Sequence, residues 1–144
     1  MGSIDISDIK LTSLKRIQLS GGDVLHGMKA SEEGYSGFGE AYFSEIKFGE
    51  IKAWKKHTEM TMNLVVPLGE VKFVFADQTG SFREEIIGSR NYYRLTVPPG
   101  IWFGFQGLFE NFSMILNISN IEHSPLEVER KELDDFKYNW ELIK

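Results

Sequence analysis

Two side chains that can carry protons lie close together near the middle of the chain. Lys55 and His57 are two residues apart within the segment 51–66, so they point to the same face of an extended strand. Histidine titrates near neutral pH, and a lysine can accept a proton when burial or a positive neighbour lowers its pKa. The spacing therefore predicts a site of proton transfer, with a solvent-exposed sheet rim as the alternative.

The same segment predicts a β-hairpin that would gather these groups at one end. We expect Thr58 and Glu59 to form the turn, with the two strands pairing outward from it. The predicted cross-strand pairs are His57 with Met60, Lys55 with Met62, Ala53 with Leu64, and Ile51 with Val66. All of these side chains share one face, which is apolar at one end and ionisable at the other. Such a face is typical of the floor and mouth of a barrel cavity.

A turn followed by aromatic residues marks a second candidate region. Pro98 and Pro99 have no backbone N–H groups, so this turn cannot lie within a sheet ladder. After it, Trp102 and Phe105 present large apolar faces close to glycines. Rings at the mouth of a small barrel can bind a flat ligand, so both are candidate substrate-binding residues. A barrel corner with core aromatic side chains is the alternative.

Composition restricts the partners and cofactors. The 144 residues carry a net charge of −5 and no cysteine, so we expect no nucleic-acid partner, disulfide or thiolate metal site. Three histidines are too few for a site built from several histidine and glutamate ligands, and we predict no metal ion. No segment resembles a signal peptide or is apolar enough to span a membrane. The sequence therefore predicts a cytoplasmic protein without a membrane partner.

Many short strand-like segments, separated by Gly, Asp, Asn or Pro, predict an all-β fold. They lie near residues 14–19, 39–48, 50–57, 60–66, 70–76, 92–97 and 112–118. This spacing favours a sandwich or barrel over a βαβ fold, in a single domain spanning residues 1–144. Residues 1–20 form a strand-like arm that can pair with a neighbouring subunit, so we expect a homodimer. Residues 126–144 form a C-terminal docking segment with an aromatic tail.

The order of several short motifs resembles the dTDP-4-dehydrorhamnose 3,5-epimerase family of cupin barrels. Gly-Glu-Ile-Lys-Ala-Trp-Lys at 49–55 precedes Asn-Leu-Val-Val at 63–66. Leu-Thr-Val-Pro-Pro-Gly at 95–100, followed by Gly104-Phe105, is similar to the family's L-x-I-P-x-G-x-x-H-G-F. Residues 117–130 resemble the stretch that leads to Y-x-P-x-x-E. The resemblance covers residues 38–140 and implies a cupin, or jelly-roll, β-barrel with an N-terminal strand arm.

The resemblance implies a reaction on a nucleotide-linked 4-keto-6-deoxy sugar. The keto group acidifies the neighbouring C–H bonds, so a base can remove a proton and an acid can return one to the opposite face. Such chemistry requires no cofactor. The resemblance also implies a place in deoxysugar biosynthesis for a surface polysaccharide such as the O-antigen of lipopolysaccharide.

The family's catalytic positions are changed in this chain. Lys55 occupies the place of the family's histidine base, and His123 that of its catalytic tyrosine, two residues before a proline. The resemblance therefore implies proton transfer between His123 and either Lys55 or His57. In the family, an aspartate near the C-terminal end orients the base, and Asp134 or Asp135 stands in the corresponding region.

The resemblance also implies three substrate-binding residues. Lys52 stands where the family has an arginine near phosphate, and it keeps the charge without the bidentate fork. Asn63 replaces a lysine thought to stabilise the enolate, and Asn117 begins the stretch that precedes the catalytic tyrosine's position.

Two alternatives to an epimerase stay open from the sequence. Because three catalytic positions differ, the barrel could bind a sugar nucleotide without catalysis. A related group, the 3,4-ketoisomerases of keto sugars, carries His-x-His-Lys on the hairpin strand, and Lys55-Lys56-His57 matches it at only one histidine.

Overall fold

The computed structural model describes residues 4–141, in which β-strands predominate. The strands are β1 (Lys10–Ser13), β2 (Arg16–Ile17), β3 (Val24–Leu25), β4 (Glu40–Lys47), β5 (Ile51–His57), β6 (Met62–Leu68), β7 (Glu70–Ala76), β8 (Phe82–Gly88), β9 (Tyr93–Val97), β10 (Trp102–Gly107), β11 (Phe112–Ser119) and β12 (Val128–Arg130). Short 3-10 helices occupy Ile6–Asp8, Pro125–Glu127 and Leu133–Asp135. None of the helices in residues 4–141 has the length and apolar character that a membrane crossing requires.

Two five-stranded antiparallel sheets pack face to face. The first has the order β1-β9-β6-β11-β4, and the second β12-β5-β10-β7-β8. Their inner faces meet in a core that includes Val66, Phe73, Leu95 and Ile115. Inward and outward side chains alternate along β11, as expected for a strand with one buried face. The prediction of an all-β jelly roll is confirmed.

The predicted hairpin between residues 51 and 66 is wrong. β5 pairs with β10 and β12 in the second sheet, whereas β6 pairs with β9 and β11 in the first. The link between them crosses from one sheet to the other, and the Glu127 carboxylate accepts the N–H groups of Glu59 and Met60 there. Only part of the predicted shared face survives. A register shift between Ala53 and Lys55 breaks the alternation along β5, so Lys52 also lines the cavity, whereas Ile51 packs with Trp54 on the outer side. Met62 and Leu64 line the same cavity as Lys55.

The N-terminal arm pairs within the chain in this structure. β1 runs antiparallel to β9, with Lys10 opposite Thr96 and Ser13 opposite Tyr93. The part of the predicted arm at residues 1–3 lies outside the described residues. The homodimer therefore stays a prediction.

The C-terminal segment lies against the outer face of the second sheet. Trp54 packs there with Phe136, Tyr138 and Trp140, at ring-centroid distances of 5.0, 6.4 and 5.4 Å. β10 shifts register against β5 beside Gly104, where an added Cβ would lie 2.5 Å from the Ala53 side chain. A residue larger than glycine at position 104 would therefore require β5 or β10 to shift. Residues 142–144 of the predicted docking segment lie outside the described part.

Candidate active site

A cavity of about 640 Å³ opens between the two sheets. This volume lies within the range of small-molecule sites. Apolar side chains from both sheets line it, namely Met62, Leu64, Phe73, Phe103, Phe105 and Ile115. Phe73 and Phe105 lie 5.6 Å apart between ring centroids, and Phe103 stacks on the His57 ring at 5.9 Å and 16°. The cavity thus combines an apolar floor with an ionisable group held against an aromatic wall.

His57 and Glu127 form a buried pair at this wall. His57 Nδ1 lies 2.5 Å from Glu127 Oε2, and the side chains are only 4% and 0% exposed. The other carboxylate oxygen accepts the backbone N–H groups of Met60 at 2.9 Å and Glu59 at 3.2 Å. The Glu127 carbonyl accepts the N–H of Thr58 at 2.8 Å. These bonds fix the carboxylate, and the carboxylate in turn fixes the imidazole.

The environment favours a neutral imidazole beside an ionised carboxylate. Burial lowers the pKa of His57 more than the hydrogen bond with Glu127 raises it. Burial would raise the pKa of Glu127, but hydrogen bonds from His57, Met60 and Glu59 outweigh it and hold this pKa below its ordinary value. A carboxylate only accepts hydrogen bonds, so the imidazole proton sits on Nδ1 and Nε2 keeps its lone pair. An imidazole in this state is chemically able to accept a proton at Nε2.

Lys55 lines the same cavity two residues before His57 on β5. Burial, followed by the positive charge of Arg130, lowers the pKa of Lys55, while the charge of Glu127 opposes this shift. Its ammonium group can donate to an oxygen that becomes negative as a proton leaves the neighbouring carbon.

Positive charge gathers where the cavity meets β12 and the residues after it. Lys52, Arg130 and Lys131 line this part, together with Glu132 and Asp135. Within residues 4–141, neither Lys52 nor Arg130 forms a salt bridge, and Lys52 Nζ donates to the Glu45 carbonyl at 3.1 Å. A local basic cluster of this kind can bind an anion despite the negative net charge.

The lining that the first sheet contributes includes polar side chains beside its apolar ones. Tyr42 on β4 and Asn117 on β11 are register partners in the first sheet. Asn117 Nδ2 donates to the Tyr42 hydroxyl at 3.0 Å and contacts the Met60 sulfur at 3.7 Å. Both side chains line the cavity. A ligand between the sheets would therefore meet His57 on one side and Tyr42 on the other.

The structure brings five of the eight candidate site residues to the cavity. Lys52, Lys55, His57, Phe105 and Asn117 all line it. Their positions match the predicted combination of ionisable and apolar groups, and their roles in binding or catalysis stay predictions.

Three candidates do not line the cavity. Asn63 is buried elsewhere, accepting from the Thr96 hydroxyl at 2.6 Å and donating to the Gly34 carbonyl at 3.1 Å. Trp102 projects to the outer side of its sheet because side chains alternate along β10, and it lies beside Phe136. His123 is exposed after the end of β11.

The sequence reasoning missed Glu127, Tyr42 and Arg130. Glu127 lies in a charged run that resembles a solvated face, and the sequence carries no signal that it pairs with a histidine 70 positions away. Asp135 lines the cavity, but its carboxylate does not orient a histidine. It accepts a hydrogen bond from the Glu132 N–H at 2.7 Å. Within residues 4–141, no group of three or more His, Cys, Asp or Glu side chains is placed to hold a metal ion.

Solved structures of known proteins share this fold. A dTDP sugar isomerase from Desulfovibrio desulfuricans G20 is 33% identical, with a TM-score of 0.88 over 92% of this chain and 90% of that one. A dTDP-6-deoxy-D-glucose-3,5-epimerase from Legionella pneumophila, solved with dTDP-4-keto-L-rhamnose, is 20% identical, with a TM-score of 0.79 over 90% and 76%. A sugar 3,4-ketoisomerase from Thermoanaerobacterium thermosaccharolyticum, solved with TDP, is 13% identical, with a TM-score of 0.76 over 92% and 96%.

The similarities to the epimerase and the ketoisomerase, at 20% and 13% identity, show the fold alone. Neither a protein-family model nor a curated protein matches the chain. The first likeness extends over nearly the whole of both chains at 33% identity. The chain therefore belongs to the family of dTDP-sugar isomerases, and it shares the fold of the epimerase and the ketoisomerase.

Proposed function

We propose that this protein is a sugar-nucleotide epimerase or isomerase that acts on a dTDP-linked 4-keto-6-deoxy sugar. The observation that carries the proposal is the neutral His57 at a ligand-sized cavity. The buried Glu127 holds its Nδ1, and Nε2 has no hydrogen-bond partner among residues 4–141. A base of this kind removes the proton from a carbon next to the keto group. The dTDP-sugar isomerase that is 33% identical to this chain supports the substrate class.

His57 and Lys55 have different roles in the proposed reaction. His57 takes the proton at Nε2. Its lowered pKa keeps the ring neutral, and its Nδ1–H group donates a hydrogen bond to Glu127. Lys55, on the same strand and facing the same cavity, donates to the keto oxygen as the enolate forms. The developing negative charge keeps this lysine protonated, which offsets the effect of its burial.

Lys52 and Arg130 bind the diphosphate of the substrate in this proposal. Both lie at the cavity without a salt-bridge partner among the described residues, so their charges are available to an anion. Binding of the remote nucleotide then holds the sugar against His57. Phe105 and its neighbouring aromatic rings form the apolar floor beneath the sugar ring.

We also propose that the protein is cytoplasmic, acts as a homodimer and serves deoxysugar synthesis for a surface polysaccharide such as the lipopolysaccharide O-antigen. The family resemblance supports the pathway. The dimer is supported by the exposed edge strand β4, where the Phe43 side chain is 62% exposed. Sedimentation equilibrium of the full chain tests the dimer, and a monomer at all concentrations would contradict it.

Deuterium wash-in tests the proposed activity. The protein is incubated with dTDP-4-keto-6-deoxyglucose in D₂O, and NMR follows the signals of C3 and C5. We expect exchange at one or both carbons, and its loss in His57→Asn. The matched control is His26→Asn, because the His26 side chain is not among the residues lining the cavity.

The same measurement separates the alternatives. No exchange, together with measurable binding of the sugar nucleotide, would identify a catalytically inactive binding protein. Movement of the carbonyl signal from C4 to C3 would identify a 3,4-ketoisomerase, which also transfers protons between neighbouring carbons.

A further inference from the structure

Inversion of a carbon needs a proton donor on the face of the sugar opposite the base. This requirement rests on the function proposed above. The resemblance assigned the donor role to His123, yet His123 is exposed and is not among the residues that line the cavity. A donor that lines the cavity on the side facing His57 is therefore a different side chain.

Tyr42 lies on that side of the cavity. It lies on β4 and pairs in register with Asn117 of β11, which in turn pairs with Leu64 of β6. This row belongs to the first sheet, whereas His57 belongs to the second. Packed sheets lie about 10 Å apart, which leaves room for one sugar ring between the two walls.

Asn117 determines which way the Tyr42 hydroxyl donates. Asn117 is 3% exposed, and its Nδ2 group directs one hydrogen to Tyr42 at 3.0 Å and the other toward the Met60 sulfur at 3.7 Å. A thioether sulfur only accepts, so it selects the NH₂ end of the amide at this position. The Tyr42 oxygen thus accepts from Asn117, and its own hydrogen is left to point at a ligand.

The environment of the Asn117 amide oxygen indicates that this orientation has a functional reason. Asn117 Oδ1 is buried and has no hydrogen-bond partner among the described residues. A buried acceptor without a partner is unfavourable, because it loses its hydrogen bonds to water and gains none in return. The fold tolerates this cost while keeping the amide hydrogens on Tyr42, as expected if the tyrosine must be held as a donor.

We propose that Tyr42 is the general acid of the reaction and that Asn117 is its positioning residue. His57 Nε2 takes the proton from the carbon beside the keto group, and the C–H electron pair moves to the keto oxygen to give the enolate. The enolate then re-forms the C=O bond as its carbon takes the proton of the Tyr42 hydroxyl on the opposite face. Water reprotonates the tyrosinate and accepts the proton from His57. About a third of the Tyr42 side chain is exposed, so solvent reaches it.

The test separates exchange from inversion in D₂O with dTDP-4-keto-6-deoxyglucose. In Tyr42→Phe, His57 can still remove a proton and return a deuteron to the same face. We therefore expect deuterium incorporation with retained configuration, while inversion falls by about 10²–10⁴-fold. The matched control is Tyr92→Phe, which removes a hydroxyl that donates to the His26 carbonyl away from the cavity. It should leave both rates unchanged.

Two outcomes in the Tyr42→Phe protein would overturn the assignment. One is inversion within threefold of wild type, and the other is a parallel fall in exchange and inversion, which a merely structural role would produce. Absence of exchange in the wild-type protein would instead refute the proposed function itself. Should Tyr42→Phe fold poorly, 3-fluorotyrosine at position 42 provides a second measurement. The alkaline limb of the inversion rate should then move to lower pH, and an unmoved limb would refute the role of Tyr42.

Discussion

Replacing Glu127 by glutamine is the sharpest test of the buried pair. The change keeps the size and shape of the side chain but replaces one acceptor oxygen by a donor NH₂ group. The oxygen that remains must serve the N–H groups of Met60 and Glu59, at 2.9 and 3.2 Å. The NH₂ group then faces His57 Nδ1, where it can only donate. His57 must move its proton to Nε2, the nitrogen that the proposed reaction uses as a base.

The size of the effect follows from this change of tautomer. A histidine held in the wrong tautomer by loss of its carboxylate partner loses about 10⁴-fold in turnover in a comparable catalytic pair. We expect Glu127→Gln to lower the rate of exchange at C3 or C5 by about 10³–10⁴-fold. One charged hydrogen bond is lost, so the free energy of unfolding should fall by about 1.5–3 kcal/mol. The protein should therefore remain folded at 25 °C.

The assay combines the wash-in rate, the affinity for dTDP and urea unfolding. Glu129→Gln is the matched control, because Glu129 is two residues away and its one salt bridge within residues 4–141 is with Lys56, at 3.5 Å. It should change none of these measurements by more than about twofold. Glu127→Gln with exchange within tenfold of wild type would show that the carboxylate does not set the tautomer of His57, and the reasoning would fail.

Three further predictions follow from particular residues. Arg130→Ala should weaken dTDP binding, measured by calorimetry, by about tenfold to a hundredfold, since a charged hydrogen bond contributes about 1.5–3 kcal/mol. Lys15→Ala, at an exposed residue, is the control. Equal affinities of the wild-type and Arg130→Ala proteins would contradict the diphosphate site. Gly104→Ala should destabilise the fold by about 1–3 kcal/mol in urea, because the new Cβ would lie 2.5 Å from Ala53 Cβ; unchanged stability would show that β5 can move away freely. His57 has a lowered pKa when folded, whereas the unfolded chain takes up its proton near the ordinary value of 6.5. Stability should therefore fall as the pH drops through about 6.5, and His57→Asn should remove that part of the dependence measured by thermal unfolding; an identical pH profile in the variant would refute the buried neutral state.

Parts of the site could be predicted because they depend on single strands. Lys55 and His57 share a face through the two-residue period of an extended chain, and the same period put Met62 and Leu64 on an inner face. Phe105 also reached the cavity as expected. Trp102, three residues earlier, projects outward because alternation along β10 puts it on the opposite face.

The amino-acid sequence by itself determined the all-β class, most of the strands and the family. These depend on turn residues, alternation and short motifs, all of which act over a few positions. The predicted segments did not include β8 or β10. The charged and apolar residues of β8, at the edge of a sheet, resemble a solvated segment, and β10 follows directly on the Pro-Pro-Gly turn.

The tertiary structure alone decided which strands are partners and which distant side chains meet. It placed β5 and β6 in different sheets. It also brought Glu127 into hydrogen-bonding contact with His57, 70 positions away in the sequence, and Tyr42 into contact with Asn117, 75 positions away. Local preferences cannot select among such pairings, because each is chosen by the burial and hydrogen bonding of the whole chain at once. The base, its carboxylate and the proposed acid are therefore brought together by the assembled sandwich, although the strands that carry His57 and Tyr42 could be predicted from the sequence.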